Sequence, residues 1–600
     1  YNTVGFCDYP PGYMNILWII GLVGNAFGGV TEWMVKVPAV LCDTLICLLL
    51  YTEGKKRANH RTGLILSLLF ALNPVSFVSG ACWGQTDSMM TLLLLLSVMS
   101  LMRGKWKIAL PVYVAAVLMK PQALMFGPMG VAALALHLKN EKCNKESIRD
   151  VVMGIGLSAA VFCAMALPFI VRIEGEKQGL SFLLNLYGNT MSSYGYVTIN
   201  ACNPYFLLGL NWYPAENSAS LAAVLTVSLM AVVPSVFACV RHRKPDWKTD
   251  YSLLSCLGLS AALAVVLPVL ALTQTLTYAV LSTCMIVYTV GLCCVQFFLK
   301  GDMKQLPGMA AAMLMMLFTC AGMMHERYLF PVVVLLLLGY CCTRDRRLLY
   351  LSLLVSLASF LNIGCVLDRN IRIGGAEGHL SAPLCNITSD LSFLEYLSSV
   401  LISVSALLCL YTVLSPIPQW NEKKAAPSEE TVSAPPAYEA PSIPKITVRD
   451  VILMLCGTVL YAVLAFSNLG SHLAPETMWT TETREESIVL DLGEEMACSV
   501  LYYPGIHWHY NNAHMKVESS IDGFNWESRS VDISTQDCFK WKHVTGTEIT
   551  PMVARYLRFS IEESGVTIHE ILLRDAGTGE VIPYTLSENY ASASVANIMD

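Results

Sequence analysis

The chain has 600 residues, of which 54% are hydrophobic and 14% charged, with a formal net charge of −6 and a mean hydropathy of +0.53. So little polar surface excludes a protein that is soluble along its whole length. A charge so small and so mixed excludes a nucleic-acid or acidic partner held by bulk electrostatics.

Tyr1 is not a start methionine and opens into a polar loop, so the chain reads as trimmed at its N-terminus. The first signature follows at once: DYPPGY, Asp8 to Tyr13, where two prolines fix the backbone beside a carboxylate suited to a positioned acid or base. The apolar stretch Gly12 to Thr31 reads as an interfacial helix, because counting it as a span would put Asp8 on the wrong side of the register. Apolar runs that approach the length needed to cross a bilayer begin near residues 36, 62, 87, 105, 121, 150, 218, 252, 276, 306, 327, 347, 392 and 447, about fourteen spans in all. Asp43, inside the first of these, is expensive in lipid and should face the bundle interior, more simply as a hydrogen-bonding group than as a catalyst.

Alternate loops are basic, among them Lys55–Arg57 with Arg61, Arg103 with Lys105 and Lys107, Arg241 with Arg243 and Lys244, and Arg344 with Arg346 and Arg347. The positive-inside rule makes these loops cytoplasmic. The other loops then face outward, and they carry DYPPGY, WGQTDS (Trp83 to Ser88), MKPQ (Met119 to Gln122) and MHERYLFP (Met324 to Pro331). Asp87 is a second candidate acid, although a helix-start carboxylate is explained equally well by the macrodipole. Lys120 with Gln122, His325, Glu326, Arg327 and Tyr328 would form a cationic phosphate site, Arg as a planar fork and Lys as a point charge. The competing account of a snorkelling lysine and a capped helix start holds for any one of them taken singly. The outer loop Asn185 to Trp212, rich in Asn, Tyr and Ser, suits sugar hydroxyls and sugar faces, and equally an ordered loop at a membrane interface. Asn200 and Asn203 in it, with Tyr9, Trp83 and Gln85, are the candidate substrate-binding residues.

From Pro416 to Lys445 seven prolines with Ala, Ser and Glu read as an extended cytoplasmic linker. One more span, about Val448 to Phe466, precedes short blocks of alternating character: SIVLDL from Ser487, HMKVESSI from His514, RYLRFSI from Arg555 and HEILLRD from His569. That period-two pattern predicts an all-β sandwich over residues 470–585, and residues 586–600 read as a linker towards a further module. The twenty-one cysteines lie largely in apolar runs and no zinc-type spacing occurs, so neither a disulfide framework nor a metal site is expected.

Two resemblances add to this. SSIDGFNWE (Ser519 to Glu527) and ARYLRFSIEESGVTIHEILL (from Ala554) resemble the discoidin-like, F5/8 type C, jelly roll, whose loop aromatics would nominate Trp508, Tyr510 and Trp541 for glycan binding. DYPPGYM, WGQTDS, KPQ and HERYLFP, in that order over residues 1–415, resemble the GT-C membrane glycosyltransferases: the dolichol-linked-oligosaccharide glucosyltransferases, the protein O-mannosyltransferases and the bacterial mannosyltransferase-related proteins. The likeness implies a polytopic α-helical enzyme in the plasma membrane with its site and β-domain on the extracytoplasmic side. It implies a polyprenyl-phosphate sugar as co-substrate, no required cofactor or metal, and a glycan, lipid or protein acceptor. In those families an acidic residue lies earlier in the first outer loop, so Asp8 is either the base or a second acid that helps bind substrate. A transporter or flippase for a lipid-linked glycan, and a glycan-binding membrane receptor, are the alternative readings.

Overall fold

A computed structural model describes residues 9–27, 29–141, 144–170, 183–188, 195–241, 251–373, 392–417, 447–466, 479–505, 512–534, 541–544 and 551–586. Asp8, Trp508 and Tyr510 lie outside the described residues. The chain divides into two compact units, one of Tyr1–Val366 with Asp390–Leu469 and one of Leu367–Ser389 with Gly470–Asp600.

The first unit is helical. Among the described residues nine helices are long and apolar enough to cross a membrane. The segments expected to span from near 87, 105, 306 and 327 are helices too, but shorter: Asp87–Met102, Trp106–Met119, Leu306–Cys320 and Phe330–Thr343, of 14 to 16 residues. Breakers in the sequence set those lengths. Lys120-Pro121 stops one helix, and Pro307 and Pro331 start two others in their first turns, where a missing N–H costs nothing. Leu306–Cys320 is buried along its whole length, so its apolar surface is spent on neighbouring helices. Prolines inside helices, such as Pro38, Pro111 and Pro234, are tolerated where neighbours re-satisfy the freed backbone groups.

The short helices set the geometry of the unit. Asp87, Lys120 and Arg327 sit at one end of Asp87–Met102, Trp106–Met119 and Phe330–Thr343, while Arg103, Lys105 and Arg344 sit at the other. Glu53, 3% exposed, ties two basic loops together by pairing with Arg57 at 2.9 Å and with Arg103. At the same ends Arg347 makes a forked pair with Asp345 and donates to Ser415 at 2.6 Å. The polar signatures and the basic loops are therefore separated by the length of these helices, about 21–24 Å at 1.5 Å per residue.

The second unit is an antiparallel sheet. Strands β1 (Thr198–Ile199) and β2 (Met324–His325) belong to the helical unit; β3 (Trp479–Thr480), β4 (Glu486–Pro504), β5 (Asn512–Ser520), β6 (Glu527–Ser534), β7 (Lys542–His543), β8 (Met552–Ile561), β9 (Thr567–Asp575) and β10 (Thr585–Leu586) form the sheet. Its order is β3-β9-β4-β8-β5-β6, with β7 and β10 also on β4. The long β4 changes partner along its length, pairing with β8 first and with β9 after Cys498. A bulge between Asp491 and Met496 makes the bend, with Gly493 at φ +83° and its N–H given to Asp491 Oδ1 at 2.8 Å. The alternation read from the sequence lines the core: Leu557, Phe559 and Ile561 of β8 are fully buried against Ile488, Leu490 and Val517.

The cysteines whose side chains are described are free thiols, many of them buried, as their apolar sequence settings predict.

Candidate functional site

The four polar signatures meet, although up to about 320 residues of sequence separate them. A cavity of about 540 Å³ is lined by Tyr9 and Pro10 of the first signature, Lys120 and Gln122 of the third, and His325, Arg327 and Tyr328 of the fourth. The second signature supplies the layer behind. Lys120 Nζ donates to Asp87 Oδ1 at 2.6 Å, and the Arg327 guanidinium lies 4.9 Å from the centre of the Trp83 ring. Gln122 Nε2 donates to the Tyr328 carbonyl at 3.1 Å, which locks the third signature to the fourth.

Local sequence explains each placement. Helix Pro11–Ala26 approaches helix Trp106–Met119 at Gly12, where a Cβ would lie 2.5 Å from the Leu118 carbonyl oxygen. Only glycine allows that contact, which seats the helix so that Tyr9, just before it, lines the same cavity as Lys120. Tyr13, one residue beyond Gly12, buries its ring against Met89 and Met119. Before the second signature, Phe77–Cys82 forms a π turn, and Trp83 N–H reaches the Val78 carbonyl at 3.0 Å. Such turns re-aim the residues that follow, and here Gly84, at φ +72°, completes the change of direction into the helix that starts at Asp87. The fourth signature is fixed by strand pairing: β2 lies parallel to β1, with Ile199 opposite His325.

The charges are arranged asymmetrically. Asp87 has no exposed surface, and both its oxygens face donors, Lys120 and Ser79 at 3.4 Å. It is the counter-charge of Lys120 rather than a group open to the cavity. Glu326, 3% exposed, sits 3.0 Å from Arg327 Nε, and burial raises it above the usual carboxylate range against the pull of Arg327. Among the described residues the terminal nitrogens of Arg327 carry no hydrogen bond, and the residue lines the cavity. Burial, with Arg327 and Lys120 nearby, pushes His325 down to about 3, so near neutral pH it is an uncharged imidazole. Most of the remaining wall is apolar, including Leu124, Met125, Ile286, Val290 and Leu317, with Tyr278, Ser282 and Thr283 adding hydroxyls. An apolar trough with two cations at one end suits an amphiphile with an anionic head.

Other nominated residues have different settings. Gln85 gives its N–H to the Ser79 carbonyl at 2.9 Å and does not line the cavity. Asn203 is fully buried: it caps a short helix by accepting from Phe206 N–H and donates to the Phe318 carbonyl at 3.1 Å. Asn200 is wired into a backbone node, its carbonyl held by Asn362 at 2.7 Å. Asp43 is buried as expected, facing Gly80, where a Cβ would stand 3.1 Å from its carboxylate. In the sheet unit, Trp541 packs edge-on against Tyr503 with ring centres 5.4 Å apart. The apolar wall residues Ile286 and Val290 were not nominated from the sequence. They are ordinary span residues whose role depends on which helix face meets the cavity. A second cavity, of about 360 Å³, lies at the basic ends between Lys300, Gln305, Asp345 and Ser415, and no signature reaches it.

Residues 8–166 match the family model of the dolichyl-phosphate-mannose-protein mannosyltransferases. With the helical unit and its site, that match supports a membrane-embedded glycosyltransferase of the GT-C type, related to the mannosyltransferases. It takes in Lys120, Asp87 and Trp83 and ends well before His325 and Arg327, which only the fold brings to the cavity that Lys120 lines. No curated protein matches the chain.

Proposed function

We propose that the protein transfers a mannose- or glucose-like sugar from a polyprenyl-phosphate donor to a glycan, lipid or protein acceptor on the extracytoplasmic face of the membrane. The observation that carries this reading is the convergence of Lys120 and Arg327 at the head of an apolar-walled cavity. The donor phosphate sits between the Lys120 ammonium and the Arg327 fork, and the first isoprene units lie along Leu124, Met125, Ile286 and Val290.

As the glycosidic bond breaks, negative charge grows on the leaving polyprenyl phosphate. Two cations already held in place, one by Asp87 and one by Trp83 and Glu326, stabilise it without reorganising. The acceptor hydroxyl attacks the anomeric carbon and its proton passes to a carboxylate. Asp8 is the group assigned to that task, because Asp87 is engaged by Lys120 and Tyr9, its neighbour, lines the cavity. Neutral His325 and Gln122 supply hydrogen bonds rather than charge, and Tyr9 and Tyr328 border the sugar. The same reading takes the sheet unit as a discoidin-like jelly roll. Its support is the β5–β6 hairpin at SSIDGFNWE, where Asp522 accepts from Phe524 and Asn525 N–H at 2.8 Å each.

The test is incubation of the full-length protein, reconstituted in lipid, with radiolabelled polyprenyl-phosphate mannose and glucose, following release of polyprenyl phosphate. Release is expected, and Lys120→Ala and Arg327→Ala should each weaken donor binding about tenfold or more, one charge-assisted contact being worth about 1.5–3 kcal/mol. No release from either donor, together with solute movement across the same vesicles, overturns the transferase reading. Unchanged donor affinity in both variants removes the two residues from the phosphate site.

A further inference from the structure

Non-glycine residues held at positive φ are uncommon, and three of them gather at one node beside the cavity: Asn200 at φ +55°, Trp212 at +58° and Met323 at +60°. A bulky residue such as tryptophan is a genuine outlier there, and such a conformation persists only where the surrounding structure enforces it. The node consists of three neighbouring segments. Residues 196–200 pair on one side with 211–214 and on the other with β2, through Tyr196–Pro214, Thr198–Asn211 and Asn200–His325 bridges. Trp212 N–H donates to the Thr198 carbonyl at 2.9 Å, and Met323 N–H to the Tyr196 carbonyl at 3.2 Å.

The strained backbone aims one ring. Trp212 is 45% exposed, yet its orientation is fixed: Nε1–H donates to Asn200 Oδ1 at 3.0 Å, and the ring meets Tyr196 edge-on with centres 5.2 Å apart. Asn200 is immobilised in turn by Asn362, and by Asn211, which donates to the same Oδ1 at 3.3 Å. With that oxygen committed to two donors, the Asn200 amide nitrogen is identified, and among the described residues it has no partner. A flat, exposed indole therefore lies beside an amide donor. A tryptophan that merely marks a membrane interface needs neither a left-handed backbone nor an indole N–H satisfied from within the protein.

Two strand spacings, about 10 Å, separate the backbone of the Trp212 segment from that of the His325 segment.

We propose that Trp212, oriented by Asn200 and Tyr196, is a stacking subsite for a hexose ring of the acceptor, so that the acceptor is a glycan rather than a bare peptide or lipid. The inference rests on the transferase reading for its meaning but is tested apart from it, by equilibrium binding of α-mannotetraose and maltotetraose to the full-length protein in nanodiscs. The wild type is expected to bind at least one of the two. Trp212→Phe, which keeps an aromatic face, should stay within about threefold of it. Trp212→Leu, which keeps apolar bulk and loses the face, should bind about tenfold more weakly, with affinity for the polyprenyl-phosphate donor unchanged in both. Binding of neither sugar by the wild type, or equal affinity in the Phe and Leu variants, overturns the subsite. Failure of polyprenyl-phosphate release with glycan binding intact would instead overturn the transferase reading.

Discussion

Each unit of the molecule holds an ion pair of nearly the same length in a different medium. In the helical unit Lys120 meets Asp87 at 2.6 Å, with side-chain exposures of 11% and 0%. In the sheet unit His514 meets Glu563 at 2.7 Å, with exposures of 55% and 15%. Distance does not separate them, so what each pair is worth follows from solvent. Removing one partner of a buried pair leaves the other charge poorly solvated, at about 3–5 kcal/mol, whereas water screens an exposed pair and leaves it little to contribute. Polar groups in the helical unit are spent on holding a cation in position, and those of the sheet surface on local order.

The largest effect that would test this contrast is Asp87→Asn, which keeps the shape and removes the counter-charge of Lys120. The variant should lose about 3–5 kcal/mol in reversible denaturation of the reconstituted protein, and Asp87→Asn with Lys120→Met together should recover most of that loss while leaving donor binding weak. Wild-type stability in the single variant would show that the pair is solvated after all.

A smaller loss is expected from Gly12→Ala. The added methyl meets the Leu118 carbonyl at 2.5 Å, so the first helix must shift, at about 1–3 kcal/mol, and Tyr9 must move in the cavity wall. Donor affinity should fall with stability. A variant with native stability and native donor affinity would show that the helix contact is not what places the first signature.

The smallest effect belongs to the exposed pair. The Glu563 hydrogen bond holds His514 above its ordinary pKa, so the pair's contribution is fully present below about pH 6.5, the unfolded value, and is lost as pH rises through the higher folded value. Amide exchange in β5 and β8 of the full chain should therefore distinguish His514→Gln from wild type at pH 6 and barely at pH 8. A difference that grows with pH would reverse the sign assigned to the pair.

Much of the helical unit was legible in advance because lipid leaves a chain few options. A helix lies at each segment expected to span, starting and stopping at residues such as Pro121, Pro331 and Gly301. The sheet strands were legible for a similar reason, since period-two alternation has one economical solution. The site was legible as residue types more than as roles. Asp87 and Lys120 both stood out, yet nothing local showed that one neutralises the other across 33 positions. Asn200 and Asn203 stood out as amides for sugars, whereas the fold commits the side chain of Asn203 to backbone groups and gives Asn200 the task of aiming Trp212.

The sequence by itself determined the membrane class, the segments that become helices and strands, and the four polar clusters, because hydropathy, breakers and side-chain period act over one or two turns of chain. Tertiary structure alone decided that Tyr9, Lys120 and Arg327 share one cavity, that Asp87 faces Lys120 and not the cavity, and that Trp212 is held exposed at a strained φ. Those outcomes depend on which helix faces meet and which glycine allows the approach. They are long-range packing terms, and no local window of sequence contains them.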